Sequence, residues 1–130
     1  MNTTLTLEFS QPDLLEPLLA LSAIELDALE FGVIGMDAET KVCDYNTLEA
    51  KLAGLSKERV MGHQLFTMVA PCMNNFMVAN RFEEATAAGE ALDVTLDYVL
   101  TLRMRPAKVK MRLLAGPGAG RRFVLIHRKP

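Results

Sequence analysis

Two cysteines, Cys43 and Cys72, are the strongest nucleophiles in this 130-residue chain. The thiolate is the reacting form of cysteine, and no cationic residue stands next to Cys72 in sequence to favour it. Most free cysteines pack as small apolar groups, and Cys43, inside a predicted strand, reads that way. Cys72 has a more distinctive setting. It closes the run Val69-Ala70-Pro71-Cys72, where proline turns the preceding residue away from helical backbone and so starts a loop near Ala70. Tyr45 and Glu49 are a second pair of interest. Taken singly, Tyr45 is an ordinary half-buried strand residue and Glu49 an ordinary solvent-facing helix residue.

Other chemistries find little support. The sequence has no metal-ligand spacing, no glycine-rich phosphate loop and no Ser-His-Asp pattern, so catalysis is not expected. Gly116-Pro117-Gly118-Ala119-Gly120 reads as a hairpin turn, because no helix follows it. His63 and His127 are the only candidate haem ligands, and both read as exposed. A net charge of −2 leaves no excess of cations for nucleic acid. Arg121, Arg122, His127, Arg128 and Lys129 gather near the C-terminus and read as the solvated side of a terminal strand. No apolar run reaches membrane-spanning length, no secretory leader is recognisable, and two cysteines make no disulfide framework. A cytoplasmic location is the plain expectation.

The elements that must position Cys72, Tyr45 and Glu49 follow from periodicity. Half of the residues are hydrophobic, enough for the core of one domain. Residues 1–30 read as a helical cap, with Leu14, Leu15, Leu18, Leu19 and Leu21 at helical spacing and a capping box from Ser22 to Glu25. Residues 31–130 form the second part. Phe31 to Asp37 and Val42 to Tyr45 predict a hairpin around Ala38-Glu39-Thr40. A helix starts at Asn46, with Leu48, Leu52 and Leu55 on one side and Gly54 as its stop, and a short turn runs from Ser56 to Val60. A longer helix carries Phe76, Val78, Ala79, Phe82 and Ala85 and ends at Gly89. Three strands follow, from Leu92 to Met104, Val109 to Leu114 and Arg122 to His127. Strands and helices segregated in this way imply an α+β domain with one five-stranded antiparallel sheet.

Several runs carry a resemblance to a known family. Asp44-Tyr45-Asn46-Thr47-Leu48-Glu49, then Gly54-Leu55-Ser56 and Val60-Met61-Gly62-His63, resemble the front half of PAS domains. Phe66-Thr67-Met68-Val69-Ala70-Pro71-Cys72 resembles the cofactor loop of the photoactive yellow protein family. Phe31-Gly32-Val33-Ile34, Arg105-Pro106-Ala107-Lys108-Val109-Lys110-Met111 and Phe123-Val124-Leu125-Ile126-His127-Arg128 resemble strands of that family. The resemblance spans nearly the whole chain. It implies a PAS fold with helices on one face and the N-terminal cap, and a blue-light receptor carrying p-coumaric acid (4-hydroxycinnamic acid) as a thioester on Cys72.

Carried over residue by residue, the resemblance implies that Tyr45 and Glu49 hold the phenolic oxygen. Val69, Ala70 and Pro71 lead into the anchoring cysteine, and Tyr98 stands beside the pocket. Burial disfavours a phenolate unless donors offset it, so Tyr45 would donate its proton and Glu49 would donate only if burial keeps it protonated. Isomerisation in light would break these contacts, and a proton passing from Glu49 would leave a buried charge to drive rearrangement, with the N-terminal helices as the moving part. Loading would need an activated donor such as a coenzyme A thioester.

Three positions depart from the family pattern. Ala53 stands where a supporting threonine is common, Leu55 where an arginine covers the ring, and Leu100 where a second aromatic lies. A looser pocket that leaves part of the cofactor protonated is expected. Met68, Met73, Met77, Met104 and Met111 read as core filling or as an adaptable wall. A PAS module without chromophore, acting through protein contacts or a small ligand, is the competing reading. A downstream signalling protein is the implied partner, and the Leu14 to Leu21 segment suits a homodimer contact by analogy alone.

Overall fold

The computed structural model describes residues 7–101 and 106–128. Met104, Arg105 and Lys129, named above, lie outside the described residues. Five strands form a single antiparallel sheet: β1 (Gly32–Met36), β2 (Val42–Tyr45), β3 (Leu92–Leu100), β4 (Ala107–Ala115) and β5 (Arg122–Arg128). Their order across the sheet is β2-β1-β5-β4-β3, which brings the first and last strands side by side at its centre. The fold is the expected α+β PAS arrangement.

Alternating side chains divide the core into two layers. On one face Ile34, Met36, Met111, Leu113, Val124 and Ile126 pack beneath the helices of the second half. On the other, Val33, Leu114, Phe123 and Leu125 meet Leu14, Leu18, Leu26 and Leu29 of the cap. The cap therefore covers the sheet face opposite the main helices. It comprises α1 (Leu15–Leu19) and α2 (Ala23–Leu26), and the predicted capping box is formed, with Ser22 N donating to Glu25 Oε1 at 2.8 Å and Glu25 N to Ser22 Oγ at 3.2 Å. Leu14 and Leu18 are spent on the chain's own sheet.

The α3 helix (Thr47–Ala53) begins at Asn46 and stops at Gly54, whose φ of 75° is a left-handed conformation that glycine adopts without strain. Its inward face differs from the expected one. Glu49 and Ala53 are buried, whereas Leu52 is 49 % exposed. After α4 (Lys57–Val60), residues Leu65–Val69 form a π-helical turn and Pro71–Met73 a 3₁₀ turn, so the apolar patch before Cys72 is wound rather than extended. The α5 helix (Ala79–Ala88) begins later than Phe76, which is 78 % exposed, and ends at Gly89.

The terminal cations are not a solvated fringe. Arg121 pairs with Asp44 at 2.7 Å, Arg122 donates to the Asp37 carbonyl at 2.7 Å, and Arg128 binds Glu49. His127 stacks on Phe9 with ring centroids 5.2 Å apart. The side chains of β5 thus tie the sheet to its covering elements.

Candidate functional site

Cys72 enters the site through an unusual stretch of backbone. The π turn closes with Ala70 N donating to Leu65 O at 2.7 Å, and Pro71 opens the 3₁₀ turn that carries the thiol. Cys72 is half-buried and free, and Pro71 is exposed. Its backbone carbonyl accepts from the Tyr98 hydroxyl at 2.5 Å and from Asn75 Nδ2 at 3.3 Å. Asn75 Nδ2 also donates to the Tyr98 oxygen at 2.6 Å, while the side-chain oxygen Oδ1 of Asn75 accepts from the amides of Met77 and Val78. Asn75 and Tyr98 therefore clamp the cysteine loop onto β3. No feature of the sequence around Asn75 singled it out.

Beside this clamp lies a groove of about 820 Å³, lined by Cys72, Asn75, Met77, Tyr98, Val99 and Val109 among others. Tyr45, Val69, Ala70, Tyr98 and Leu100 belong to one apolar cluster, against which Leu55 and Cys72 pack. The groove itself does not reach Tyr45, Glu49 or Leu55. Leu55 and Val69 instead border a separate space of about 110 Å³. Ala53, one turn beyond Glu49, is buried.

Tyr45 and Glu49 are far more buried than either ordinary role requires, at 2 % and 0 % exposure. Glu49 gains its place because Asn46 caps the helix, accepting from Glu49 N at 3.1 Å. It also needs Gly32, since a Cβ there would collide with Glu49 Oε1. The glutamate carboxyl is held by Arg128 through two bonds, Nη1 to Oε1 at 2.7 Å and Nη2 to Oε2 at 3.1 Å. Burial raises the pKa of Glu49, and Arg128 opposes that rise. Burial, then the charge of Glu49, push the Tyr45 hydroxyl above its ordinary value. The sequence treated Arg128 as solvated, so this fork-shaped partner was not anticipated.

A p-coumaroyl group fits these residues in part. A half-buried free thiol stands at a groove with an aromatic wall, Tyr45 belongs to the apolar cluster against which that thiol packs, and Glu49 is buried one helical turn from Tyr45. The other thiol is a poor candidate, because burial and Asp44 push Cys43 up to about 11. Among the described residues no group of His, Cys, Asp and Glu could hold a metal ion, and no helix is long and apolar enough to cross a membrane.

Comparison with known proteins gives this arrangement its context. No family model matches the chain. The photoactive yellow protein of Halochromatium salexigens is 35 % identical over 105 residues, covering 81 % of this chain and 83 % of the relative. That of Rhodothalassium salexigens is 32 % identical over 107 residues, covering 82 % and 85 %. Among solved structures, the photoactive yellow protein domain of the sensor histidine kinase Ppr from Rhodospirillum centenum superposes with a TM-score of 0.79 and 31 % identity, over 88 % of this chain and 99 % of that one. On these likenesses the chain belongs to the photoactive yellow protein family of PAS-fold photoreceptors.

Proposed function

We propose that this chain is a blue-light receptor that carries a p-coumaroyl group as a thioester on Cys72 and signals through a buried proton. The observation that carries the proposal is the clamped Cys72 loop. Its thiol opens on the groove while its backbone is fixed by Tyr98 and Asn75. Loading is thiol acylation. The Cys72 thiolate attacks the carbonyl of an activated donor such as a coenzyme A thioester, the new S–C bond forms, and the donor's thiolate leaves.

When bound, the group supplies blue absorption and a double bond that light can isomerise. The chain's own part lies at the buried end. Tyr45 supplies a hydroxyl donor there, and Glu49 a carboxyl that donates when protonated and accepts when ionised. A proton gained or lost at Glu49 changes the charge of a fully buried side chain that touches β1 and is bonded to β5. An uncompensated charge at that place strains the sheet and the elements on it. The cap is the proposed moving part and a downstream signalling protein the proposed reader. The similar domain that forms part of a sensor histidine kinase supports this signalling role.

A second reading rests on a different observation. Phe76, 78 % exposed, and Val99, 49 % exposed, lie next to and within the groove lining, which suits a protein-contact module without chromophore.

Incubation with an activated p-coumaric ester distinguishes the two. A mass gain of one coumaroyl group that disappears in Cys72→Ala, with an absorption band that light bleaches and darkness restores, supports the receptor. Absence of Cys72-dependent acylation overturns it and favours the contact module.

A further inference from the structure

Arg122 is the first residue of β5, and Met36 at the end of β1 is its partner across the sheet. Side chains alternate along a strand, so Arg122 shares a face with Val124 and Ile126, under the main helices. Its guanidinium lies 5.8 Å from the ring centroid of the buried Phe82 of α5 and donates from Nη2 to the Asp37 carbonyl at 2.7 Å. A cation on an aromatic face and a bond to a carbonyl fix its position, but neither neutralises it. Among the described residues no carboxylate forms an ion pair with Arg122, whereas Arg112, Arg121 and Arg128 each have one. The Asp37 side chain turns instead to the amides of Glu39 and Lys41. Burial pushes the Arg122 pKa down, and the charge of Asp37 opposes this only in part.

A cavity of about 350 Å³ opens at this guanidinium. Ala85 and Thr86 of α5, Glu90, Ala115 at the end of β4 and Pro117 in the following turn line it together with Arg122. Small side chains and glycine backbone keep the space clear, and a Cβ at Gly118 would meet nothing within 4 Å. The cavity is separate from the groove at Cys72: Val109 lines that groove and Ala115 this cavity, ~20 Å apart along β4. Its size suits a small molecule. Arg122 keeps N–H donors that have no protein acceptor among the described residues, and the planar fork of a guanidinium matches a carboxylate. Glu90 and the C-terminal end of α5, which is the negative end of the helix dipole, disfavour a second negative charge. The rest of the wall is short and mainly apolar, which suits a compact hydrocarbon body.

We propose that this cavity is a second ligand site, which takes a small monocarboxylate with a compact apolar body and pairs its carboxylate with Arg122. The bound acid supplies the counter-ion that the protein withholds from this one arginine. A two-bond pair with a half-buried guanidinium is stronger than the same pair in open water. The ligand bridges the C-terminal end of α5 to the β4–β5 turn, and because only the folded chain offers the site, it raises the unfolding temperature. Neither Cys72 nor the buried Tyr45 and Glu49 takes part, so the site stands whether or not the chain carries a chromophore.

Benzoate tests the site, with benzamide as its uncharged counterpart and phthalate as a dianion. Binding to the full chain at neutral pH is followed by amide chemical shifts and by calorimetry. Benzoate is expected to shift the amides of residues 85–90 and 118–122 and to leave those of residues 72–78 in place, also after Cys72 is alkylated. Arg122→Gln should weaken benzoate binding about tenfold or more, and Arg122→Lys by less, because the lysine keeps the charge and loses the fork. Benzamide and phthalate should both bind more weakly than benzoate by about the same factor. Thr86→Phe sets a ring in the cavity from an exposed position of α5 and should weaken binding with Arg122 intact, so it decides the matter if Arg122→Gln fails to fold. No saturable benzoate binding at millimolar concentration overturns the proposal. So does equal binding of benzamide or phthalate, benzoate binding unchanged in Arg122→Gln, or shifts confined to the groove at Cys72.

Discussion

The Tyr98 hydroxyl donates to the backbone carbonyl of Cys72 across 2.5 Å, joining the cysteine loop to the edge strand of the sheet. Tyr98→Phe keeps the ring in its apolar cluster and removes only this bond and its partner from Asn75. The expected loss of stability is about 1 kcal/mol. A larger change is expected in local opening. Amide exchange across residues 70–75 should quicken, and alkylation of Cys72 should speed up with it. Unchanged exchange in that segment would show that the loop is held by its apolar packing instead.

The two thiols should differ sharply. With Cys43 pushed up to about 11, roughly one molecule in a thousand carries its thiolate at pH 8. One fast equivalent of iodoacetamide is therefore expected, located on Cys72 by peptide mapping and absent from Cys72→Ala. Faster labelling at Cys43 would contradict the assignment of the reactive thiol.

Glu49 makes the fold sensitive to pH in a direction opposite to that of most carboxylates. Burial lifts its native pKa above the ordinary 4.5. The native state then binds this proton more tightly than the unfolded chain does. Its contribution is largest below pH 4.5 and falls as pH rises through the native value. Urea midpoints of wild type and Glu49→Gln should show the wild type losing ground as pH increases over that window. A relative gain would place the native pKa below the ordinary one.

Arg112 should govern how firmly the cap is seated. It is 5 % exposed, forms a two-bond pair with Asp93, and donates to the carbonyls of Phe9 and Gln11 at 2.8 Å and 2.7 Å. Arg112→Ala should cost about 2 kcal/mol, and limited proteolysis should cut within residues 7–26 sooner than in wild type. Equal resistance would mean that Leu14, Leu18 and Leu26 alone hold the cap.

Much of the scaffold could be read from residue types because its signals are local. Ser22 and Glu25 satisfy each other within one turn, Gly54 and Gly89 end helices through their own backbone freedom, and strand alternation needs only neighbours. The inward face of α3 was misread for a physical reason. Leu48 and Leu52 are the large apolar residues of that helix, yet Glu49 is buried in their place beside Ala53, because Arg128 from a distant strand compensates its charge. The same long-range pairing hid Arg128 itself, since a cation near a terminus carries no local sign of its partner. Asn75 was missed because its bonds to Tyr98 and Cys72 depend on the curl of the loop. The motif around Cys72 and the pair Tyr45 and Glu49 came from resemblance, and the structure adds burial to them.

Asn46 acts as a mechanical joint. Its side chain accepts from Val33 N and Glu49 N and donates to the carbonyls of Leu26 and Phe31, using all four of its hydrogen-bonding capacities at 1 % exposure. One amide group is thus the axle on which α3, β1 and the end of the cap turn together. A small rotation of the helix that bears Glu49 cannot be absorbed locally, because every spoke from this axle ends on a different element. The load passes directly to the segment that links the cap to the sheet, with no relay of intermediate side chains between them.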